Sequence, residues 1–418
     1  MRHTTILTLL AILVLGLSAC ESGTTTQGTV FTGGTNALLV NFEREAPPDL
    51  IYDNSQTPFN ILLNVKNDGE FDTANVRWRI TGINKNDFVN LETRGMYTNT
   101  IMGRTKLQDQ IIEGEEAYIE LEGTGGQPIC YERSLRGGGE LRDLSVKVDL
   151  CYGYATLATS TICVREDYLD GGDGCDPRTS SQISVSGAPL TISGFSQQHV
   201  GRDRLRLQYD IALRNNVNIW APGPDQTCTG SRTQRLQQEN VVYVKIDTNG
   251  LGDIGCVNLR SGPSGADGEF VLSSTNYPQE LLTGAALNID NFADDASGYI
   301  RLGSDNRASL ICTLTLEPGM TDSLGTMDVA LSYFVEDSVT KPLTITHTAS
   351  DGTTTCGDVD TRPDGTYRDS GDIAGIPDDR TDYDQWDVCY RNCLVANYDL
   401  GNRAEEFCEL QCDAGNAW

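Results

Sequence analysis

The feature that most constrains the fold of this chain is a two-residue hydrophobic period. Residues 59–65 (FNILLNV) and 76–80 (VRWRI) place an apolar side chain at every second position. This period puts side chains alternately on the two faces of a β-strand, and turn sequences such as Asn-Asp-Gly separate such runs. No long amphipathic helix appears in the sequence before residue 385. The pattern predicts a mainly β chain with a small helical tail.

The chain also contains an internal repeat. Three pairs of segments match in the same order: 76–92 with 241–260, 119–123 with 314–319, and 145–164 with 328–345. Because one chance match is common and an ordered series is not, we interpret the matches as two copies of one β domain. Each copy has room for about seven short strands, which is the layout of an Ig-like β-sandwich.

The N-terminus has the features of an export signal. Arg2 precedes an apolar run from Ile6 to Leu17 that is too short to span a bilayer, and small residues follow it. Residues 17–20, LSAC, resemble the lipobox of prokaryotic lipoproteins. That resemblance implies that Cys20 is the lipidated first residue of the mature chain and anchors it to a membrane. Ordinary signal cleavage beside a coincidental cysteine is the alternative.

The first repeat resembles a known domain family. Residues 46–82, APPDLIYDNSQTPFNILLNVKNDGEFDTANVRWRITG, have a Pro-rich entry strand, a long alternating strand ending in Lys-Asn-Asp-Gly, and a further strand before a small turn. This order is similar to the opening of CARDB-type Ig-like domains of prokaryotic surface proteins. The whole layout is similar to surface lipoproteins of small-genome archaea. Neither resemblance implies a catalytic residue.

Export makes disulfides the expected state of the cysteines. Removing Cys20 from the 13 cysteines leaves an even number in a compartment that permits oxidation. A β-hairpin centred near Leu157 would bring Cys151 opposite Cys163 and leave Cys130 for Cys175. Sequential pairing, Cys130 with Cys151 and Cys163 with Cys175, is the other solution. Three connectivities stay open for the remaining four: Cys228, Cys256, Cys312 and Cys356.

The C-terminal segment predicts a stapled helical hairpin. Two cysteine pairs with a spacing of four lie on two short helices: Cys389, Cys393, Cys408 and Cys412. In an antiparallel pair of helices, Cys389 bridges to Cys412 and Cys393 to Cys408. A zinc site or a redox relay is the alternative, but zinc needs four reduced thiolates outside the cell. The spacing resembles the twin C-x₃-C hairpins of small mitochondrial carrier chaperones, which implies the geometry and no function.

Charge and histidine content argue against several functions. The chain has 59 acidic and 31 basic residues, so a nucleic-acid partner is excluded in our interpretation. After removal of the signal only His199 and His347 remain, and we expect both to be solvent-exposed. No nucleophile, zinc or phosphate motif is present. We expect Trp220 and Trp386 in loops or linkers, as packing anchors rather than sugar platforms.

Two acidic stretches are calcium candidates. They place carboxylates beside glycines, as oxygen-ligand loops do: Asp167, Asp170 and Asp173 in the first, and Asp358, Asp360 and Asp364 in the second. Neither stretch fits the spacing of an EF-hand loop. Plain acidic linkers are the competing interpretation, and no other cofactor is predicted.

These observations divide the chain into seven predicted parts. They are a signal peptide (1–19), a lipidated cysteine with a flexible tether (20–35), a first Ig-like sandwich (36–166), an acidic linker (167–179), a second Ig-like sandwich (180–346), a second acidic linker (347–383) and the hairpin (384–418).

The predicted function is non-catalytic binding at the cell surface. The chain would sit on the outer face of the cytoplasmic membrane, or in the periplasm or on the outer membrane of a diderm bacterium. Its partner would be a protein or an envelope polymer. A structural or assembly role in a cell-envelope complex is the alternative, followed by an accessory subunit of an exported enzyme.

Overall fold

The computed structural model describes residues 31–107, 110–121, 123–135, 139–165, 175–176, 182–221, 228, 237–260, 264–265, 268–269, 295–348 and 356. In this part of the chain the fold is mainly β, which confirms the prediction from the alternating pattern. Two short 3₁₀ turns accompany the strands, Lys85–Asp87 and Thr124–Gly126. A search of the same residues finds no helix with the length and apolarity needed to cross a membrane. The predicted hairpin, 384–418, lies outside the described residues.

The first twelve strands, in chain order, are β1 (Leu38–Phe42), β2 (Leu50–Tyr52), β3 (Ile61–Asn67), β4 (Val76–Thr81), β5 (Phe88–Val89), β6 (Arg94–Tyr97), β7 (Thr105–Leu107), β8 (Gln110–Ile112), β9 (Glu116–Leu121), β10 (Cys130–Tyr131), β11 (Glu140–Val164) and β12 (Gln182–Val185). The other strands are β13 (Leu190–His199), β14 (Arg204–Leu213), β15 (Asn218–Trp220), β16 (Val241–Asp247), β17 (Gly252–Cys256), β18 (Ser264–Gly265), β19 (Gly268–Glu269), β20 (Ala296–Arg301), β21 (Arg307–Leu316) and β22 (Ser323–Thr346).

The two longest strands form the centre of the molecule. β11 pairs antiparallel with β22 over its whole length, with one irregularity between Leu141 and Leu144. In the sequence alignment Gly153 corresponds to Phe334, and these two residues also lie directly opposite each other. The pairing is therefore symmetric about this point. Equivalent strands of the two repeats lie side by side.

The two repeats share one nine-stranded sheet. Its main path runs β20-β16-β22-β11-β4-β6, with β12 on β11 and with β2 and β15 on β22. β2, from the first repeat, pairs with β22 of the second, and β12, from the second repeat, pairs with β11 of the first. The segments 36–166 and 180–346 thus exchange strands across a common sheet instead of standing apart in tandem.

Two smaller sheets cover one face of the central sheet. The sheet β1-β3-β9 lies over the first repeat, where the Leu38 amide donates to the Tyr152 hydroxyl at 3.3 Å. The sheet β13-β14-β21-β17 lies over the other end, where the hydroxyls of Ser160 and Tyr209 are 2.9 Å apart. Buried side chains from all three sheets form one continuous core. We call the covered side the core face and the opposite side the outer face.

Four tyrosines carry hydrogen bonds through this core: Tyr152, Tyr154, Tyr209 and Tyr333. Burial raises the pKa of all four phenols, which therefore remain neutral hydrogen-bonding groups. The Tyr154 hydroxyl, for example, accepts from the Phe71 amide at 3.3 Å, and Phe71 packs edge-on against the Tyr154 ring. Because Tyr152 bonds to β1 and Tyr209 to β11, these hydroxyls hold the central sheet against the two sheets that cover it.

The repeats hold their neighbouring strands in the same register. β4 pairs with β11 over Lys147–Cys151, and β16 pairs with β22 over Asp328–Ser332. These two segments are equivalent in the sequence alignment of the repeats. The equivalence places Tyr243 of β16 where β4 has Arg77, and Lys245 where β4 has Arg79.

The predicted hairpin centred near Leu157 is wrong. Residues 140–164 form one continuous strand, which contains small residues but no turn sequence. Cys151 and Cys163 do share a face, as their spacing predicts, but twelve residues of extended chain separate them by about 40 Å. A disulfide requires Cα atoms within about 7 Å, so these two cysteines cannot bond.

The structure pairs the eight predicted disulfide cysteines as Cys130–Cys356, Cys151–Cys228, Cys163–Cys175 and Cys256–Cys312, with Cα separations of 6.1, 5.6, 5.6 and 4.0 Å. Cys163–Cys175 is one of the pairings that the sequence left open. The alternatives Cys130–Cys151 and Cys130–Cys175 are both wrong. The expectation that the last four cysteines pair among themselves is also wrong, since of these only Cys256 and Cys312 bond to each other. The cause is the shared sheet, which brings Cys228 next to Cys151 and leaves Cys130 for a cysteine beyond the second repeat.

The last residues of the predicted flexible tether are held against the fold. The buried Glu70 carboxylate accepts from the amides of Thr32 at 2.7 Å, Gly33 at 3.0 Å and Gly187 at 2.5 Å. Amide donors to an ionised carboxylate make strong hydrogen bonds. Residues 32 and 33 are therefore fixed to both repeats, and the tether cannot extend to residue 35.

Candidate functional site

The outer face of the first repeat carries an unusual set of side chains. In the β6-β4-β11 part of the sheet, Arg94, Arg79 and Asp149 lie opposite one another in one row. In the next row Met96 is opposite Arg77, and Arg77 is opposite Cys151. Residues directly opposite on antiparallel strands project from the same face, with Cβ atoms about 5 Å apart. Three arginines are thereby gathered on one surface of an acidic protein.

Ion pairs neutralise part of the positive charge on this surface. The Asp149 side chain is buried and lies 3.2 Å from an Arg79 Nη and 2.7 Å from Lys147 Nζ. Arg94 is exposed and, within the described part of the chain, makes no side-chain hydrogen bond or ion pair. Counting Arg77, four cations thus face two carboxylates, Asp149 and one from the adjacent β22. The surface has a local excess of positive charge, although the whole chain has a formal net charge of −28.

The arginines border a groove of about 490 Å³. Met96, which is 47% exposed, lies at its rim, so the groove is accessible from solvent. The residues that line it are Arg77, Trp78, Arg79, Arg94, Gly95, Met96, Asp149, Leu150, Cys151, Cys228 and Glu336. Its volume is within the range of small-molecule sites, about 300–1,000 Å³. It combines charged side chains with apolar and sulfur atoms.

Local packing fixes the two strands that carry the arginines. Trp78 projects to the core face and packs across Gly95, so that a Cβ atom on Gly95 would lie 2.3 Å from the Trp78 ring. Only glycine allows this approach. The Trp78–Gly95 contact therefore holds β6 against β4 and sets the position of Arg94.

A rigid cluster borders the other end of the groove. Trp220 is fully buried and packs with Phe334 and Cys228, next to the Cys151–Cys228 disulfide. The Trp220 indole N–H donates to Glu336 Oε2 at 3.1 Å, and the Asn218 amide donates to the same oxygen at 3.2 Å. Trp220 is a packing anchor, as predicted, but it lies in strand β15 and not in a loop.

A second polar cluster lies where the chain enters the first repeat and leaves the second. Asp53 is fully buried, and its Oδ2 is 2.7 Å from His347 Nδ1. Burial acts to raise the pKa of Asp53, but hydrogen bonds from His347 and from the Leu135 and Thr348 amides outweigh burial, so the pKa is lowered. The expectation that His347 is solvent-exposed is wrong, because its side chain is only 27% exposed and paired. His199 is exposed, as expected.

Several predicted site residues lie outside the described residues. These are Cys20, the calcium candidates Asp167, Asp170, Asp173, Asp358, Asp360 and Asp364, the hairpin cysteines Cys389, Cys393, Cys408 and Cys412, and Trp386. In the residues that the structure does describe, no group of three or more His, Cys, Asp or Glu side chains is arranged to hold a metal ion.

Sequence reasoning missed the arginine surface. Part of the signal was present, since Arg77 and Arg79 alternate with apolar residues in the segment VRWRI and must share a face. The contribution of Arg94 was not visible, because it depends on the register between β4 and β6. The overall acidity of the chain also directed attention to its carboxylates.

Comparison with known proteins does not assign the chain. No protein-family model matches it, and no curated protein matches it significantly.

Proposed function

We propose that this chain is an exported, lipid-anchored surface protein that binds a partner without catalysis. The observation that carries the binding role is the arginine groove, in which Arg94 has no protein partner among the described residues. A guanidinium group without a protein partner, beside apolar surface, is typical of recognition sites for anionic ligands. The rigid sheet beneath them keeps the groove in place without a ligand.

The proposed location rests on the N-terminus and the cysteines. The lipobox-like sequence supports a lipid on Cys20, and disulfides are typical of exported proteins. We propose the outer face of the cytoplasmic membrane, or the periplasm or outer membrane in a diderm bacterium. Sheet-on-sheet packing supports the finer proposal that each repeat is an Ig-like sandwich related to CARDB-type domains. The C-terminal stapled hairpin and calcium binding by the acidic stretches remain predictions.

Two measurements test this proposal. The first is the intact mass of membrane-extracted protein after thiol alkylation without reduction. A chain that starts at a lipid-modified Cys20 and carries no alkyl group supports anchoring and complete oxidation. Four alkyl groups on the C-terminal cysteines would instead indicate a reduced metal or redox site.

The second measurement is retention of the exported chain on isolated cell envelope. Binding that saturates and is lost at high salt supports the proposed role, because exposed charges are screened. A chain without residues 384–418 tests whether the predicted hairpin supplies part of the contact. Absence of retention by the complete chain contradicts the binding function.

A structural or assembly role is the second candidate, favoured by an exposed apolar hairpin. Among the described strands, β7 and β8 pair only with each other, and they carry Leu107, Ile111 and Ile112 at 65%, 55% and 51% exposure. Apolar side chains grouped in this way are typical of protein contacts. If the role is assembly, mild crosslinking of envelopes yields a stoichiometric complex, and replacing the three residues by serine abolishes it.

A further inference from the structure

Among the described residues, the arginine surface carries more cations than carboxylates. Arg79 and Arg94 are directly opposite on adjacent strands, an arrangement of like charges that destabilises a sheet. Asp149 balances Arg79 together with Lys147, but it lies on the far side of β4 from Arg94. The glutamate of this surface, Glu336, already accepts from Trp220 and Asn218. Within the described residues, the repulsion between Arg79 and Arg94 therefore lacks a counter-charge next to Arg94.

Spacing and chemistry point to carboxylate ligands. Arg79 and Arg94 have Cβ atoms about 5 Å apart, and Arg77 follows Arg79 on the same face at about 7 Å. Guanidinium groups bind planar carboxylates through paired N–H donors, which an ammonium group cannot reproduce. Arg79 and Arg94 face each other across two strands and Arg77 lies one step further along β4, so the three guanidinium groups match a ligand that carries more than one carboxylate.

The remaining walls favour a sugar polymer over a peptide. Met96 and the Cys151–Cys228 disulfide supply apolar and sulfur atoms next to the arginines. A uronic acid unit has C–H faces that pack on such atoms and a carboxylate at one end of the ring. Sheets that bind extended peptides use the backbone of an edge strand, whereas this groove lies on the side-chain face.

We infer that the groove binds a polysaccharide with repeated carboxylates, of the uronic acid type. Arg94 and Arg79 bind one carboxylate between them, Arg77 binds the next, and the apolar wall contacts the intervening ring. This inference rests on the proposed surface-binding function and names the ligand class of the same site.

The test is titration calorimetry of the exported chain with oligogalacturonate of defined length. The fully methyl-esterified oligomer is the matched ligand control, because it has the same rings without charge. Arg94→Gln is the test variant, since this side chain makes no hydrogen bond or ion pair within the described part of the chain. Lys245→Gln is the matched protein control, because it removes one positive charge at the position equivalent to Arg79 in the second repeat.

We expect oligogalacturonate to bind and the methyl ester to bind about tenfold more weakly or not at all. Arg94→Gln should weaken binding about tenfold, and Lys245→Gln should change it less than about twofold. Equal loss in both variants overturns the assignment to the groove, as does equal binding of the ester. Tighter binding of poly-L-glutamate than of oligogalacturonate overturns the polysaccharide class in favour of an acidic peptide.

Failure of the inference and failure of the proposed function have different signatures. A chain that is retained on cell envelope but does not bind oligogalacturonate has the proposed function with another ligand. A chain that binds neither cell envelope nor oligogalacturonate contradicts both the inference and the proposed function. Circular dichroism of each variant confirms that lost binding is not lost folding.

Discussion

The outer faces of the two repeats occupy equivalent places in the sheet but differ in chemistry. On the first repeat, Arg77 and Arg79 of β4 border a groove that solvent reaches. At the equivalent place on the second repeat, Tyr243 of β16 is only 6% exposed and packs edge-on against Tyr299, with ring centroids 5.1 Å apart. Val241 and Ala221 complete that buried cluster.

This difference shows that the same backbone register serves two purposes. The second face is closed by an apolar cluster, and burial raises the pKa of Tyr299, so its phenol stays neutral. The first face stays accessible and charged, which contributes little to stability because exposed ion pairs are worth about 0–1 kcal/mol. We therefore assign stability to the second outer face and recognition to the first. The following predictions test this division.

Tyr243→Ala should give the largest effect. It removes a buried aromatic ring from the closed face and should lower the free energy of unfolding by about 3–5 kcal/mol. Urea unfolding followed by tryptophan fluorescence measures the loss. Tyr118, which is 55% exposed on β9, is the matched control, and Tyr118→Ala should cost about 0.5 kcal/mol or less. Similar losses in the two variants would contradict a structural role for the closed face.

Removing the disulfide beside the groove should have the next largest effect. Replacing Cys151 and Cys228 together by serine should cost about 2–4 kcal/mol, because the bridge restricts the unfolded chain. The matched control replaces Cys256 and Cys312, which bridge paired strands in the second repeat. Both losses should be similar in unfolding experiments. Envelope retention should fall only when Cys151 and Cys228 are replaced. A fall in both variants would show that retention does not depend on the groove.

Asp53, which lies away from both outer faces, should make the free energy of unfolding depend on pH. Because its pKa is lowered in the folded chain, its stabilisation is present above the unfolded value, about 3.9, and is lost as pH falls through the folded pKa. Asp53→Asn should cost about 2 kcal/mol at pH 7 and much less near pH 2. Urea unfolding at the two pH values measures this. His199→Gln is the exposed control, and an Asp53→Asn cost that is independent of pH would refute the assignment.

Arg94→Gln should have the smallest effect on stability. The exposed guanidinium has no partner within the described residues, so the free energy of unfolding should change by about 0.5 kcal/mol or less. A small gain in the free energy of unfolding would also agree with this assignment, because the variant removes the repulsion between Arg94 and Arg79. The same urea titration measures it. A loss above about 2 kcal/mol would show that Arg94 is part of the internal packing.

The sequence predicts the class of the fold and the equivalence of its halves better than their arrangement. Alternation in segments such as 59–65 is a local property of each strand, so it predicts β structure directly. The match of 145–164 with 328–345 identifies two strands that are equivalent, but it does not state that they pair with each other. Pairing depends on long-range packing, and this is why the hairpin near Leu157 and three of the named disulfide pairings were wrong.

The candidate site was less predictable, for the same physical reason. Arg77 and Arg79 share a face by their spacing alone, whereas Arg94 joins them only through the register of β4 with β6. The Asp53–His347 pair joins residues from opposite ends of the described fold. Each case combines local signals with a contact that only the folded sheet creates.

The most direct test of the division between the two outer faces is envelope retention of Arg94→Gln measured beside Lys245→Gln. Both variants remove one positive charge, and the two positions lie on the outer faces of different repeats. We expect Arg94→Gln to weaken retention about tenfold and Lys245→Gln to leave it within about twofold of the unmodified chain. Equal retention of both variants, or a larger loss for Lys245→Gln, would contradict it.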